Sequence, residues 1–289
     1  MLLDFFQTSL DGLMVGGLYA TVALGITLVF GLVGILNFAH GQMVMLGAYI
    51  VFFATAAGWG FWFGLALAMV CMALFGLLLE RVVFRRTLGN PMAGLAVSLG
   101  LIMIIENLAA AAFTPDPRFV DPPLVGSVAL GSLVFSSQRL LVLVVAGTLI
   151  GAFYLFLQKT QIGKGIRAMA QNRQGAALVG VRITRVTAAI FAAGSALAGA
   201  AGALLASLFA ITPFMGNTPL MKGFILATLG GLGSVPGAIA AGFLLGLAES
   251  FGSRYLSASF RDGYGFILLI ATLLFLPNGL FGARTKAKL

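Results

Sequence analysis

Apolar residues occupy this chain in long blocks rather than in alternating or helical stripes. Residues 12–79, between Asp11 and Glu80, contain no Asp, Glu, Lys or Arg. At 1.5 Å per helical residue that block extends roughly 100 Å, about three times the ~30 Å hydrocarbon thickness of a bilayer. It is expected to cross a membrane about three times. Apolar segments bounded by charges or by Gly/Pro breaks predict spans at about 12–36, 41–58, 60–80, 91–112, 139–158, 186–211, 236–252 and 263–281. A ninth segment, 217–234 (NTPLMKGFILATLGGLGS), is short and holds Lys222 and four glycines. The pattern predicts an all-α polytopic transmembrane bundle of about 8–9 membrane segments, some short or broken. They form a single transmembrane domain over residues 1–289, with a cytoplasmic loop at 159–185.

Composition reinforces that picture. Of the 289 residues 60% are hydrophobic and 9% charged, with a mean hydropathy of +1.08. A soluble domain carries about a quarter charged residues and under half apolar ones, so a soluble enzyme, a disulfide scaffold and a disordered linker are excluded. The start, MLLDFFQTSLDG, has no basic n-region and carries Asp4 and Asp11. The first span is therefore expected to stay in the mature protein rather than to be cleaved.

The net charge of +9 comes from cations gathered between apolar spans, where the positive-inside rule accounts for them. Without a basic domain interleaved with aromatics, nucleic acid is not an expected partner; the lipid bilayer is. The clusters are Arg81, Arg85 and Arg86; then Lys159, Lys164, Arg167, Arg173, Arg182 and Arg185; then Arg284, Lys286 and Lys288. All three are expected on the cytoplasmic side. Counting crossings from Arg81 puts the N-terminus and the loop 113–138 outside, and 253–262 with them. Spans 186–211 and 236–252 then both run outward. Segment 217–234 must return the chain inward, as a short or broken helix entering near Pro219 and ending at Gly230–Gly233. Irregular backbone at membrane depth survives only buried in protein or lining a wet cavity.

Catalytic chemistry is not legible. One cysteine, Cys71, and one histidine, His40, cannot make a usual zinc site, and no metal or cofactor is expected. The nearest phosphate-loop look-alike, Gly163-Lys164-Gly165, lacks the following hydroxyl residue and the preceding strand. Any ATP that drives the chain must be bound by another polypeptide. Glu106 and Glu249 fall near the outer ends of their spans, where interfacial solvation or local pairing is favoured over ion coupling. His40 sits in the break Leu36-Asn37-Phe38-Ala39-His40-Gly41. Proton sensing is one reading there, and capping or hydrogen bonding to backbone is the favoured one. The break has an echo at 229–244, where LGGLGSVPGAIAAGFL again sets glycines before a small-residue span. Paired interruptions point to a transport pathway, although small residues also serve helix packing. Candidate pathway residues are Asn37, His40, Gly41, Gly230, Gly231, Gly233, Pro236 and Gly237.

The loop 160–185 (TQIGKGIRAMAQNRQGAALVGVRITR) is too long for a tight turn. It predicts a helix from Gly165 to about Leu178, with Ile166, Met169, Ala170, Ala177 and Leu178 at helical spacing and Gly163 and Gly180 at its flanks. It reads either as a basic loop that sets orientation or as a docking helix for a cytoplasmic partner. Docking is favoured.

Five motifs, in order from about residue 10 to 282, carry a resemblance. They are Leu36-Asn37-Phe38-Ala39-His40-Gly41 with Gly47-Ala48-Tyr49; Glu80-Arg81-Val82 with Arg85-Arg86; Gly163 with Arg167-Ala168; Leu178-Val179-Gly180; and Gly230-Gly231-Leu232-Gly233-Ser234-Val235-Pro236-Gly237-Ala238. Together they resemble the LivH-type permeases of branched-chain amino-acid ABC importers. The resemblance implies a multi-pass permease of the bacterial inner membrane, with a periplasmic N-terminus and a cytoplasmic C-terminus. It implies a second homologous permease, two cytoplasmic ATP-binding subunits and a periplasmic amino-acid-binding protein as partners. Loop 159–185 becomes the ATPase-coupling loop, with Gly163, Lys164, Arg167, Ala168 and Gly180 as its candidate residues. Such loops often carry an acid near positions 171–172, where this chain has Gln171 and Asn172. Two alternatives stay open: a stand-alone channel or facilitator for a small polar solute, and an importer of the same family for urea, amides or aromatic acids.

Overall fold

The computed structural model describes residues 2–130 and 133–282; the expected cation cluster Arg284, Lys286 and Lys288 lies outside them. Helix α1 (Leu2–Leu28) runs on through a π-turn at Val29–Val33, and α2 (His40–Ala56), α3 (Phe61–Val82) and α4 (Pro91–Phe113) follow. A hairpin of β1 (Ser127–Leu130) and β2 (Leu133–Ser136) pairs antiparallel, with Ser127 opposite Ser136. Then come α5 (Ser137–Lys159), α6 (Gln161–Gln171), α7 (Arg173–Leu178), α8 (Ile183–Ala206), α9 (Asn217–Gly230), α10 (Val235–Tyr255) and α11 (Arg261–Phe275). Among the described residues seven helical segments are long and apolar enough to cross a membrane, and α2 is a shorter apolar helix. The result is a polytopic helical bundle.

Local chemistry sets the boundaries. Asn90 accepts from the Ala93 N–H (3.1 Å) at the start of α4, with Pro91 next to it. Ser234 accepts from the Gly237 N–H (3.1 Å) and opens α10. Both are N-caps that satisfy an otherwise orphaned backbone donor. The last helix stops at Phe275 rather than near 281, because Pro277 disfavours helical backbone at the residue before it. The first helix begins at Leu2 rather than near residue 12. Its two acids do not break it, because each has a cation on a neighbouring segment: Asp4 pairs with Arg254 and Asp11 with Arg139, both at 3.1 Å.

Those pairs also bear on sidedness. The start of α1, the start of α5 and the end of α10 were all expected on one side, and ion pairs tie them together. On the same side, Arg118 and Ile211 exchange backbone hydrogen bonds (2.9 and 2.8 Å), joining the loops after α4 and α8.

The core is built on α1, α2 and α8, while α4, α5 and α11 leave most of their surface uncovered. Small residues permit the most extensive helix contact, between α1 and α10. A Cβ added to Gly16 would stand 2.8 Å from the Cα of Phe243, and one on Gly242 would stand 2.7 Å from the Cα of Ala20. Apolar lipid gives helices no hydrophobic reason to associate, so such close backbone packing carries the attraction. Replacing Gly242 by Val should lower the thermal midpoint of the detergent-solubilised protein, at a cost of about 1–3 kcal/mol. Gly100→Val, with open space around Gly100, should leave the midpoint unchanged in the same melt.

Candidate functional site

The two sequence breaks become two structural breaks. The first, residues 34–39, lies between the π-turn and α2. Gly34 ends the turn in left-handed conformation (φ 76°) and donates to the Phe30 carbonyl at 3.0 Å. Asn37 and His40 are buried, at 3% and 1% exposure. Neither the Asn37 amide nor either His40 ring nitrogen has a hydrogen-bond partner among the described residues. The expected capping role of His40 is therefore corrected: Ala39 is the cap residue of α2, no side chain caps that end, and the imidazole packs instead against Gly25 of α1. Gly41 lies against Gly216 and Leu220 at the start of α9, and Phe38 stacks on Phe224 (4.6 Å between ring centroids).

The second break, residues 231–234, is the corner between α9 and α10. Gly231 and Gly233 take φ of 96° and 84°, which side-chain-bearing residues rarely adopt. Gly230 packs on Gly237 across the corner, with Pro236 in the first turn of α10, and Gly231 packs on Gly279 and Gly282. The π-turn that precedes the first break touches the second, where Gly31 lies against Gly233. Asn37, His40 and Gly41 are not part of that contact.

Of the coupling-loop candidates, Gly163 lies against the carbonyls of Phe156 and Leu157, and Arg167 bonds to the Gln158 side chain. Lys164 and Gly180 are exposed and Ala168 is half-buried. The single helix expected over Gly165–Leu178 is two. Asn172 is extended (φ −158°), and its side chain accepts from the Gly175 N–H (2.9 Å) to cap α7. Asn prefers caps over helix interiors because its amide competes for backbone groups. Ile166 and Met169 are buried as expected, whereas Ala170, Ala177 and Leu178 are exposed.

Both acids are locally paired. Glu106 accepts from Gln42 Nε2 (2.8 Å) and Asn217 Nδ2 (2.9 Å), tying α4 to the starts of α2 and α9. Glu249 is 1% exposed, so interfacial solvation does not apply to it. It accepts from Lys222 Nζ (2.8 and 3.0 Å), Tyr19 Oη (2.7 Å) and Arg261 Nε (3.2 Å). Lys222 also pairs with Asp262 (2.9 Å) and lies over the Tyr19 ring, 4.7 Å from its centroid. This network joins α1, α9, α10 and α11. Sequence reasoning missed it, although one signal was present: Lys222 is the sole formal charge between Arg185 and Glu249. A lone cation in so apolar a stretch requires a counter-charge.

Removing one member leaves its partner charged and buried, which costs about 3–5 kcal/mol. Lys222→Met or Glu249→Leu alone should lower the thermal midpoint sharply. The double variant should recover part of the loss, and a double-mutant cycle from melts in one detergent reads that coupling directly.

Comparison with known proteins fits this architecture. A family model described as "Branched-chain amino acid transport system / permease component" matches residues 8–276. The high-affinity branched-chain amino acid transport system permease protein LivH of Escherichia coli is 33% identical over 97% of this chain and 96% of its own length. The corresponding protein BraD of Pseudomonas aeruginosa is 33% identical over 96% of each. LivM of Salmonella typhimurium, also a permease protein of such a system, is 27% identical over 91% of this chain and 67% of its own. Among solved structures, PsaBC from Streptococcus pneumoniae in complex with Fab shares the fold at a TM-score of 0.55 and 13% identity, over 97% of this chain and 98% of that one. The chain therefore belongs to the family of branched-chain amino acid transport system permease components.

Proposed function

We propose that this chain is the permease subunit of an ATP-driven importer for branched-chain amino acids, working in a bacterial inner membrane. It crosses that membrane in eight to nine segments as one domain, with a periplasmic N-terminus and a cytoplasmic C-terminus. It forms the translocation pathway with a second homologous permease. Two cytoplasmic ATP-binding subunits supply the energy, and a periplasmic amino-acid-binding protein delivers the substrate. The observation that carries this reading is the match to LivH and BraD over nearly the full chain.

Loop 159–185 is the seat of the ATPase. Leu178 and Val179, at the C-terminal end of α7, are 89% and 79% exposed, an apolar step in a loop with the exposed cations Lys164, Arg173 and Arg182. Apolar residues set in a polar rim suit a protein partner better than water. From there α6 packs against the π-turn Val29–Val33 and against α8, and Gly31 of that turn lies against Gly233 at the second break. Movement of the loop by a closing ATPase pair thus has a route of direct contacts to Gly230, Gly231, Gly233, Pro236 and Gly237. Asn37 and His40 supply buried polar side chains to the pathway, and Gly41 lets the start of α2 approach Gly216 beside α9.

Two experiments test this reading. Arg167→Glu and Leu178→Asp should abolish co-purification with the ATPase subunit while the chain still inserts and folds; intact co-purification of both counts against the coupling role. The chain reconstituted alone in proteoliposomes should pass no labelled leucine. Appreciable flux without partners would favour a stand-alone facilitator instead.

A further inference from the structure

The buried charge network does more than hold helices together, because it forms one end of a cavity. A hollow of about 350 Å³ lies between α1, α9, the segment after α8 and the start of α11. That is within the ~300–1,000 Å³ range of small-molecule sites. Leu18, Val22, Phe209 and Leu226 form apolar wall, and Tyr19, Lys222, Arg261 and Asp262 form the polar end. Glu249 stands behind Lys222 and Arg261 and neutralises one of them.

We infer that this cavity is a binding site for a zwitterionic, apolar α-amino acid, resting on the importer reading above. The charges make the case. Two cations and two carboxylates sum to zero, and a zwitterion also sums to zero, so its entry leaves no buried charge uncompensated. The Lys222–Asp262 pair (2.9 Å) is the one that opens. Lys222 has only 10% of its side chain exposed, whereas Asp262 has 73%, so the Asp262 carboxylate is the less enclosed partner and the one free to move. An incoming α-carboxylate takes its place on Lys222, with Arg261 beside it, and the α-ammonium pairs with Asp262. The aliphatic side chain then lies along Leu18, Val22 and Leu226. A cationic or anionic amino acid would bring an unmatched charge into the apolar wall. Amides and urea would leave Lys222 and Asp262 without ionic replacements.

Equilibrium binding of radiolabelled leucine to the full chain in lipid nanodiscs, without binding protein, tests the site. The expected result is saturable binding, displaced by isoleucine and valine. Lysine, glutamate, leucinamide (no carboxylate) and isocaproate (no ammonium) should displace it poorly. Asp262→Asn should weaken leucine binding about tenfold or more and erase the preference for leucine over isocaproate, which loss of fold alone would not do. Ala210→Phe, which narrows the cavity, should weaken leucine more than alanine. Absence of saturable leucine binding, or equal leucine affinity in the Asp262→Asn protein, overturns the site. So does an unchanged leucine-to-alanine ratio in Ala210→Phe. The importer reading stands or falls separately, on the co-purification and flux experiments.

Discussion

A charge placed inside an apolar bundle must find its opposite, and that constraint organises one side of this molecule. Lys222 is buried on α9, and Tyr19, Glu249 and Asp262 reach its ammonium from three other helices, with Arg261 sharing the Glu249 carboxylate. The α9–α10 corner, the closeness of α1 to α10 and the docking of α11 all accommodate that meeting. The glycine seam Gly12, Gly16, Gly242 and Gly246 lets α1 and α10 approach near enough for Tyr19 and Glu249 to touch. Ionic pairing and small-residue packing thus operate as one device.

A second constraint acts at the breaks. Each interrupts a helix inside an apolar protein, and the freed backbone must be covered. At the α9–α10 corner the covering is done by the chain itself: the Leu280 and Phe281 N–H groups donate to the carbonyls of Leu229 and Gly230 at 2.8 and 3.1 Å. At residues 34–39 the Leu36 carbonyl accepts from Ser98 Oγ at 3.0 Å, while the buried side chains of Asn37 and of His40, just inside α2, have no hydrogen-bond partner among the described residues. Most buried polar groups in folded proteins are hydrogen-bonded, so these two side chains stand out from the core around them.

Much of this was legible in the sequence because membrane helices announce themselves by block hydropathy. The charge-free stretch 12–79 resolved into α1, α2 and α3. The parity of crossings called for a helix within 217–234, and α9 occupies Asn217–Gly230. Side-chain partnerships were less accessible. The apolar span begins near residue 12, but α1 begins at Leu2, because Arg254 and Arg139 stand opposite Asp4 and Asp11, which no local pattern reveals. The division of the cytoplasmic loop at Asn172 depended on a cap that competes with helix continuation. The network joining α1, α9, α10 and α11 depends on residues 230 positions apart, Tyr19 and Glu249, which no local pattern connects.

Under the proposed function, this chain moves amino acids only while a partner subunit hydrolyses ATP. The direct measurement is uptake of labelled leucine into proteoliposomes that hold the complete assembly, with the binding protein outside and nucleotide inside. The account predicts accumulation above the external free concentration with ATP, and none with a non-hydrolysable analogue. Equal uptake under both conditions, ending at equal concentrations across the membrane, would contradict it.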